Sequence, residues 1–448
     1  MSTRLEEALK TATDTRECVI GDGVLAETPR VFAEQFPGKK SAFIVADPRT
    51  WAAAGEKTSA LLEGSGVSVR KYILEPGGKT FHADYHYVEE VRGVLQDAGV
   101  QSGDPVPVAV GSGVVNDLTK LASGDLGVPY LVCATAASVD GYSSFGASIR
   151  SPEGAKKTYA CPAPRAIVAD LDVMRTAPKW MAASGFADLL AKVPAGADWI
   201  LAHELGATPW HERAWNTVQG GLPEALANPE GVAAMETEPL RKFVEGLMLG
   251  GFAMQDMQSS RPASGAEHMF SHILEMRDHT YKGDIVPHGI QVGVYTHFMA
   301  KFFEQILAFD YTKLDVDACV AKWPEWPEEE AIARKLFEGT PFPEVGVTTT
   351  KAKYLDKECL RAQLMIAKTR WPEIKARLEK QLLPAKEVER RLRVVGAPAE
   401  PEEIGVTRQA SFENVNVAAH MRDRYNSLDF TYRTGQMNEF ARKAFGLE

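Results

Sequence analysis

The first third of the chain alternates short apolar runs with segments of helical spacing. Five runs have the length and the apolar, β-branched composition of buried strands: 41–46, 67–74, 105–110, 128–134 and 166–170. Between these runs, 86–99 and 114–124 carry apolar residues at helical intervals. Strands separated by helices predict βαβ units, which build a parallel sheet with right-handed crossovers.

The remainder of the chain has a different pattern, because the strand signals fade after about residue 175. Five later stretches are predicted to be helical, the fourth as a helix followed by a turn: 172–206, 239–257, 295–309, 382–406 and 421–435. We therefore expect two domains. Residues 1–172 would form an α/β domain with a parallel sheet, and 173–448 an all-α domain.

Composition and charge exclude several classes of protein. The chain has 448 residues, of which 45% are apolar and 25% charged, enough apolar content for a large core and unlike a disordered protein. The net charge of −10 lacks the basic footprint of duplex binding, so no nucleic-acid partner is expected. Five scattered cysteines and the lack of a signal sequence or a spanning apolar run predict a cytoplasmic protein without membrane insertion.

A glycine-rich turn follows the third apolar run. Gly111-Ser112-Gly113 ends that run just where a helical pattern begins. Glycines allow a phosphate to approach the backbone, and the helix N-terminus offers free N–H groups. Asn116 stands where the GxGxxG pattern requires its third glycine, so a nucleotide site and an ordinary βα turn both remain open. Asp47, after the first clear strand, is the candidate acidic partner of the ribose.

A second glycine pattern is a decoy. Gly78-Lys79-Thr80 resembles the end of a P-loop, but Ile73 occupies the position of the first glycine. We expect no P-loop there.

A loop rich in small and hydroxyl residues spans 133–149. Thr135, Ser138 and Ser144 could donate hydrogen bonds to a cofactor, although a tight buried loop would have the same composition. Asp140 precedes Gly141, a pair that more often forms a turn than a ligand contact.

Histidines cluster in the segment 262–280. Ser264 and Glu267 have the spacing of a capping box, which predicts a helix start. Four residues with polar or ionisable side chains then fall on one face of that helix: His268, His272, Glu275 and His279. With His288 in a Pro-His-Gly loop, the pattern fits metal ligation or, alternatively, a partly solvated polar face.

Asp188 lies at the edge of a predicted apolar helix face. An acid in that position costs free energy unless it is paired or bound to a metal. One carboxylate and two imidazoles would leave coordination positions open, as in a catalytic site.

Taken together, the motifs resemble the sn-glycerol-1-phosphate dehydrogenase family, within the superfamily of iron-type alcohol dehydrogenases, glycerol dehydrogenases and dehydroquinate synthases. The resemblance covers residues 17 to about 300 and a later segment. It is carried by GSGVVNDLTK (111–120), TAASVDGYSS (135–144), SGFADLL (184–190), SGAEHMFSH (264–272), HGIQVG (288–293) and HMRDRYNSLDF (420–430). Departures include Val139, which replaces the usual histidine.

The resemblance implies that 1–172 form a dinucleotide-binding domain and that 173–448 bind metal and substrate, and it also implies roles for individual residues. The implied metal ligands are Asp188, His268 and His288, whereas His272 would face the substrate and act in catalysis with Asp188 and Asp140. The implied NAD(P) contacts are Gly111, Ser112, Gly113, Val114, Val115, Thr135, Ala136, Ala137, Ser138 and Ser144.

The resemblance also implies an activity. We expect a metal-dependent oxidoreductase that transfers hydride between NADH or NADPH and dihydroxyacetone phosphate, giving sn-glycerol 1-phosphate or a related phospho-polyol. Zinc is the expected divalent ion, and iron or nickel would suit the same ligands. A homo-oligomer is expected. The alternatives are a dehydroquinate-synthase-like lyase and a nucleotide-binding regulatory protein without turnover.

Overall fold

Six parallel strands form a sheet within the first 170 residues. The structure is a computed structural model that describes residues 2–76, 81–152, 154, 156–340 and 342–447; the P-loop decoy at 78–80 lies outside them. The strands are β1 (Glu17–Gly21), β2 (Ser41–Ala46), β3 (Ser68–Ile73), β4 (Val106–Gly111), β5 (Leu131–Ala134), β6 (Ala147–Arg150), β7 (Lys156–Tyr159), β8 (Ala166–Asp170), β9 (Thr280–Tyr281) and β10 (Asp284–Ile285).

The strand order of this sheet is β1-β8-β5-β4-β2-β3. From β2 the chain continues to the neighbouring edge strand β3, and it then returns to the other side of β2 with β4, so the strand order reverses between β2 and β4. In the register, Ala42 lies opposite Val106, and Val45 lies opposite Ala109. Open α/β sheets bind their ligands beyond the carboxyl ends of the strands at such a reversal. The turn at Gly111 and the residue Asp47 both lie at these carboxyl ends.

The expected fold class is confirmed. Each of the five predicted strands corresponds to one of β2, β3, β4, β5 and β8, and the interior strands are buried along nearly their whole length, as a sheet covered on both faces requires. The sequence analysis did not anticipate β1, which pairs with β8 at the sheet edge, or the antiparallel ribbon of β6 and β7. These three strands have few fully buried residues, so their apolar pattern is weak.

Helices connect the strands of the sheet along the chain, and they make up most of the second half of the sequence. Their bounds are α1 (Thr3–Thr11), α2 (Thr28–Gln35), α3 (Pro48–Thr50), α4 (Glu56–Gly64), α5 (Tyr85–Asp97), α6 (Gly113–Asp125), α7 (Leu171–Thr176), α8 (Lys179–Leu190), α9 (Lys192–Glu204), α10 (Glu212–Gln219), α11 (Leu222–Ala225), α12 (Pro229–Ala233), α13 (Thr237–Met257), α14 (Ala266–Met276), α15 (His288–Ala308), α16 (Val316–Lys322), α17 (Trp326–Leu336), α18 (Pro343–Lys353), α19 (Lys357–Gln381), α20 (Ala385–Val394), α21 (Arg408–Ala419), α22 (Ser427–Arg433) and α23 (Met437–Phe445).

The described residues divide into two compact units. Unit 1 comprises Met1–Leu189, Arg213–Ser260 and Val394–Gly396, and it contains the sheet. Unit 2 comprises Leu190–Glu212, Arg261–Arg393 and Ala397–Glu448, and it is helical apart from the short ribbon of β9 and β10. That 1–172 and 173–448 are the domains, in the sense of independently folding parts, stays a prediction.

Two further observations concern the helices. The expected single helix over 421–435 is shorter than predicted, because the Asn426 side chain caps a helix that begins at Ser427 and ends at Arg433.

Within the described residues, no helix combines the length and the apolar composition needed to cross a bilayer.

Candidate active site

The glycine turn joins β4 to α6 with little room for side chains. A Cβ atom at Gly111 would lie 2.4 Å from the Cβ of Val115, and one at Gly113 would lie 2.9 Å from Cγ2 of Val139. The turn therefore requires glycine at both positions. The first-turn N–H groups of α6 have no acceptor within the helix, so they can donate to an anion.

The other residues expected at the nucleotide lie around this turn. Ser112 is the N-cap of α6, and Val114 and Val115 are in its first turn, where their N–H groups belong to the donors just described. Asp47 directly follows β2 and caps the one-turn helix α3, since its Oδ1 accepts from the N–H groups of Arg49 and Thr50 at 2.8 and 2.9 Å. The contact of Asp47 with a ribose stays a prediction.

The hydroxyl-rich loop begins beside the glycine turn. The N–H of Thr135 donates to the Gly111 carbonyl at 3.1 Å, and Ala136, Ala137 and Ser138 are all buried. Helix α8 packs directly on this loop, because a Cβ at Gly185 would lie only 2.2 Å from the Ala137 carbonyl oxygen. The loop is therefore held at a fixed distance from the helix that carries Asp188.

Lys120 fixes the second half of the same loop, a role that the sequence analysis did not assign. Its ammonium group is fully buried and donates to the carbonyls of Gly141, Ser144 and Gly146 at 2.8, 3.1 and 3.1 Å. Asp117, one turn earlier on α6, lies 3.5 Å from the same nitrogen. Burial raises the pKa of Asp117, and the positive charge of Lys120 opposes this shift. The signal was available in the Asp-x-x-Lys spacing that follows the glycine turn.

Asp188, His268 and His288 form the candidate metal centre. Asp188 is in the last turn of α8, His268 is on α14, and His288 is the first residue of α15. The potential ligand atoms of the three side chains all lie within 4.8 Å of one another. Asp188 and His268 are buried, whereas 25% of the His288 side chain is exposed.

Carboxylates orient the imidazoles of His268 and His288. Nδ1 of His268 lies 2.7 Å from Oε1 of Glu267, and Nδ1 of His288 lies 2.8 Å from Oε1 of Glu275. A carboxylate only accepts hydrogen bonds, so each Nδ1 carries the proton and donates it. The Nε2 atoms are thereby left unprotonated, which is the form in which histidine binds a cation.

His272 lies on the same helix, one turn beyond His268. Its Nδ1 is 3.3 Å from Oε2 of Glu275, so this carboxylate contacts His272 and His288 together. Burial lowers the pKa of His272 to about 3; the Glu275 hydrogen bond opposes the shift, and the positive charge of Arg422 adds to it. His272 is therefore neutral at physiological pH.

Asp140 is positioned through its backbone. Its N–H donates to Oδ2 of Asp188 at 3.3 Å, which connects the hydroxyl-rich loop to the candidate metal ligand. Ser144 completes this loop, and its hydroxyl donates to the Gly141 carbonyl at 2.9 Å. Substrate and cofactor contacts of these residues stay predictions.

The expected capping box at the start of α14 is wrong. The N-cap is Gly265, and the Ser264 hydroxyl accepts from Arg424 instead of from the helix. The N–H of Ala266 donates to Oδ2 of Asp198 at 2.7 Å, so a buried acid from α9 satisfies the helix start. Oε1 of Glu267 accepts both from the N–H of Gly265 at 2.6 Å and from Nδ1 of His268, so this carboxylate joins the helix start to the candidate ligand.

His279 also departs from its expected position. Helix α14 ends at Met276, so His279 does not share the face of His268 and His272. Its Nε2 contacts the Ile404 carbonyl at 2.6 Å, which gives it a structural role in unit 2.

Comparisons with known proteins agree with this geometry. The sequence profile of the iron-containing alcohol dehydrogenases matches residues 19–178. A glycerol-1-phosphate dehydrogenase [NAD(P)+] of Halalkalibacterium halodurans is 36% identical over 58% of this chain, which spans 64% of that relative's length. The same enzyme of Bacillus licheniformis is 30% identical, covering 73% of this chain and 81% of the relative. The enzyme of that name from Pyrococcus furiosus is 33% identical over 64% of this chain and 78% of the relative.

Solved structures show the same fold. A probable glycerol dehydrogenase from Sinorhizobium meliloti aligns with a TM-score of 0.59 at 16% identity over 97% of both chains. An alcohol dehydrogenase from Oenococcus oeni aligns with a TM-score of 0.56 at 18% identity over 97% of this chain and 99% of the other. These structures share the fold, and the sequence profile and the sequence relatives identify the chain as an iron-type alcohol dehydrogenase. Within that class, the chain belongs to the glycerol-1-phosphate dehydrogenase family.

Proposed function

We propose that the protein reduces dihydroxyacetone phosphate to sn-glycerol 1-phosphate with NADH or NADPH, and catalyses the reverse oxidation. The family membership supports the activity. The observation that carries the proposal in the structure is the convergence of Asp188, His268 and His288, each with a potential ligand atom within 4.8 Å of the others.

The residues present fit both groups that the reaction requires. The turn at Gly111 excludes side chains and ends at a helix N-terminus, as a pyrophosphate site requires. One carboxylate and two oriented imidazoles suit a divalent ion with open coordination positions, and zinc is the ion that we propose. When bound, the nucleotide supplies the hydride, and the ion stabilises negative charge on the substrate oxygen.

The chain's own residues position the reacting groups and handle the proton. Reduction adds a hydride to the ketone carbon and a proton to its oxygen. His272 is the proposed proton-transfer group: its Nδ1 is held by Glu275, which leaves Nε2 to pass a proton between solvent and the substrate oxygen. Asp140 and Asp188 are the proposed contacts to the substrate hydroxyl.

An assay with both nicotinamides tests this function. The metal-loaded protein is given dihydroxyacetone phosphate with NADH or NADPH, and absorbance at the nicotinamide band is followed. We expect loss of reduced cofactor and, in reverse, oxidation of sn-glycerol 1-phosphate in preference to its enantiomer. Release of phosphate without net change of the nicotinamide would indicate a lyase instead.

The proposed cellular location is the cytoplasm. The five cysteines are all free thiols, as in proteins from reducing compartments.

A further inference from the structure

The segment 420–427 is docked on the helix that carries the histidines. The Arg424 guanidinium donates to the Ser264 carbonyl at 2.6 Å, close to the start of α14. The N–H of Ser427 donates to Oδ1 of Asp198, whose other oxygen holds the first turn of α14. The segment is thus fixed to unit 2 after residue 422. The first residue of the segment is held as well, since the His420 carbonyl accepts from Thr349 Oγ1.

Arg422 lies between these anchors and next to the site. Its charge acts on His272, and the carboxylates of Asp423 and Glu275 act in turn on Arg422. The residue is half-buried. In the part of the chain that the structure describes, its guanidinium forms no hydrogen bond and no ion pair within 4.0 Å.

Three other basic residues already have hydrogen-bond partners. Arg424 bonds to Ser264, and Arg261 donates to the carbonyl of Tyr425 at 2.8 Å. Lys120 holds three loop carbonyls of unit 1. Burying a cation without a partner costs free energy, so an unsatisfied guanidinium beside an active site indicates an anionic ligand.

We propose that Arg422 binds the phosphate group of the substrate. The inference rests on the proposed function, and it identifies what makes the site specific for a phosphorylated ketone. A guanidinium offers paired N–H donors that match two phosphate oxygens, and the charge of Arg422 acts on His272, the proposed proton-transfer group.

The test compares phosphorylated and unphosphorylated ketones. In Arg422→Gln we expect the KM for dihydroxyacetone phosphate to rise roughly 30-fold or more, because a charged hydrogen-bond partner is removed. The kcat/KM for dihydroxyacetone, which has no phosphate, should stay within about twofold of the wild-type value. The KM of Arg422→Lys for dihydroxyacetone phosphate should lie between those of the wild type and Arg422→Gln, since lysine keeps the charge but lacks the paired N–H donors.

Binding of inorganic phosphate gives a readout that does not depend on turnover. Isothermal titration of the metal-loaded protein with phosphate should show binding in the wild type that is weakened at least tenfold in Arg422→Gln. Arg334→Gln is the matched control, because Arg334 is an exposed arginine of unit 2 paired with Glu330 and Glu344. This control should behave as the wild type.

The outcomes separate the two proposals. If wild-type protein turns over neither ketone phosphate nor glycerol phosphate, the proposed function fails. If it does, and Arg422→Gln leaves the KM for dihydroxyacetone phosphate unchanged or impairs both ketones equally, the role of Arg422 is overturned. Should Arg422→Gln fail to fold by circular dichroism, the same comparison in Arg422→Lys decides: no selective loss for the phosphorylated ketone overturns the role.

Discussion

At the scale of single residues, the metal centre is defined as much by glutamates as by ligands. Glu267 and Glu275 accept the Nδ1 protons of His268 and His288, so the tautomers and ring orientations are fixed in the protein itself. Glu275 also contacts His272, which ties the proposed proton-transfer group to a proposed ligand. A loss of this carboxylate should therefore affect metal binding and proton transfer together.

The histidines should separate by their effect on metal content. We expect His268→Ala and His288→Ala to lose the ion, because each removes a ligand, and His272→Ala to keep it while losing turnover. Elemental analysis of purified variants measures this, with circular dichroism to establish folding. Retention of metal in His268→Ala together with its loss in His272→Ala would contradict the ligand assignment.

Glu275→Gln should weaken metal binding by about 10- to 100-fold, because the amide no longer enforces the Nδ1-protonated form of His288. Competition with a chelator of known affinity measures the change. Glu439→Gln is the control, since Glu439 is exposed and pairs with Lys443 across one helical turn. Equal affinities of the two variants would refute an orienting role.

At the scale of elements, the start of α14 is the decisive junction. Asp198 from α9 accepts from the N–H groups of Ala266 and Ser427, so one buried carboxylate holds the metal-site helix and the segment that carries Arg422. A Cβ at Gly265 would lie 2.6 Å from Oδ2 of Asp198 and 2.8 Å from Cα of Ala195. The close approach of α9 and α14 therefore depends on glycine.

Gly265→Ala should destabilise the protein by about 2 kcal/mol or more, because the added methyl group overlaps a backbone atom and a buried carboxylate. Urea unfolding measures the change. Gly93→Ala is the matched control: a Cβ there meets nothing within 4 Å, and alanine within helix α5 should be neutral or stabilise by up to ~1 kcal/mol. Similar behaviour of both variants would refute the packing argument.

Asp198 should also give stability a particular pH dependence. Burial first, and the charge of Glu267 second, raise its pKa to about 7, above the ordinary range near 4 that applies in the unfolded chain. Between about pH 4 and 7 the folded state binds more protons, so this contribution to the free energy of unfolding falls as pH rises. We expect the stability difference between wild type and Asp198→Asn to shrink from pH 5 to 7.5 in thermal unfolding; a constant difference would contradict it.

At the scale of the whole molecule, folding and metal binding should be linked. An ion that binds only the folded state adds about 4 kcal/mol at a thousandfold excess over its Kd, so chelation should lower the Tm and zinc should restore it. Differential scanning calorimetry measures the shift. The Tm of His268→Ala should not change on addition of zinc. A wild-type Tm that is unchanged by both chelator and zinc would refute the metal site. The homo-oligomeric state stays a prediction.

The sequence by itself determined the features that depend on local spacing. Alternating apolar runs predicted the parallel strands, Gly111-Ser112-Gly113 predicted the tight βα turn, and the interval from His268 to His272 predicted a shared helix face. Each follows from backbone geometry over a few residues.

The tertiary structure alone decided which remote side chains meet. Asp198 replaces the expected Ser264 cap from 68 residues away along the chain, and Glu275 reaches His288 across a turn and a ribbon. Arg422 lies far along the chain from the histidine it affects. Hydrogen bonds and charge effects of this kind act over a few ångströms in space, and no periodicity of the sequence encodes which distant segments come that close.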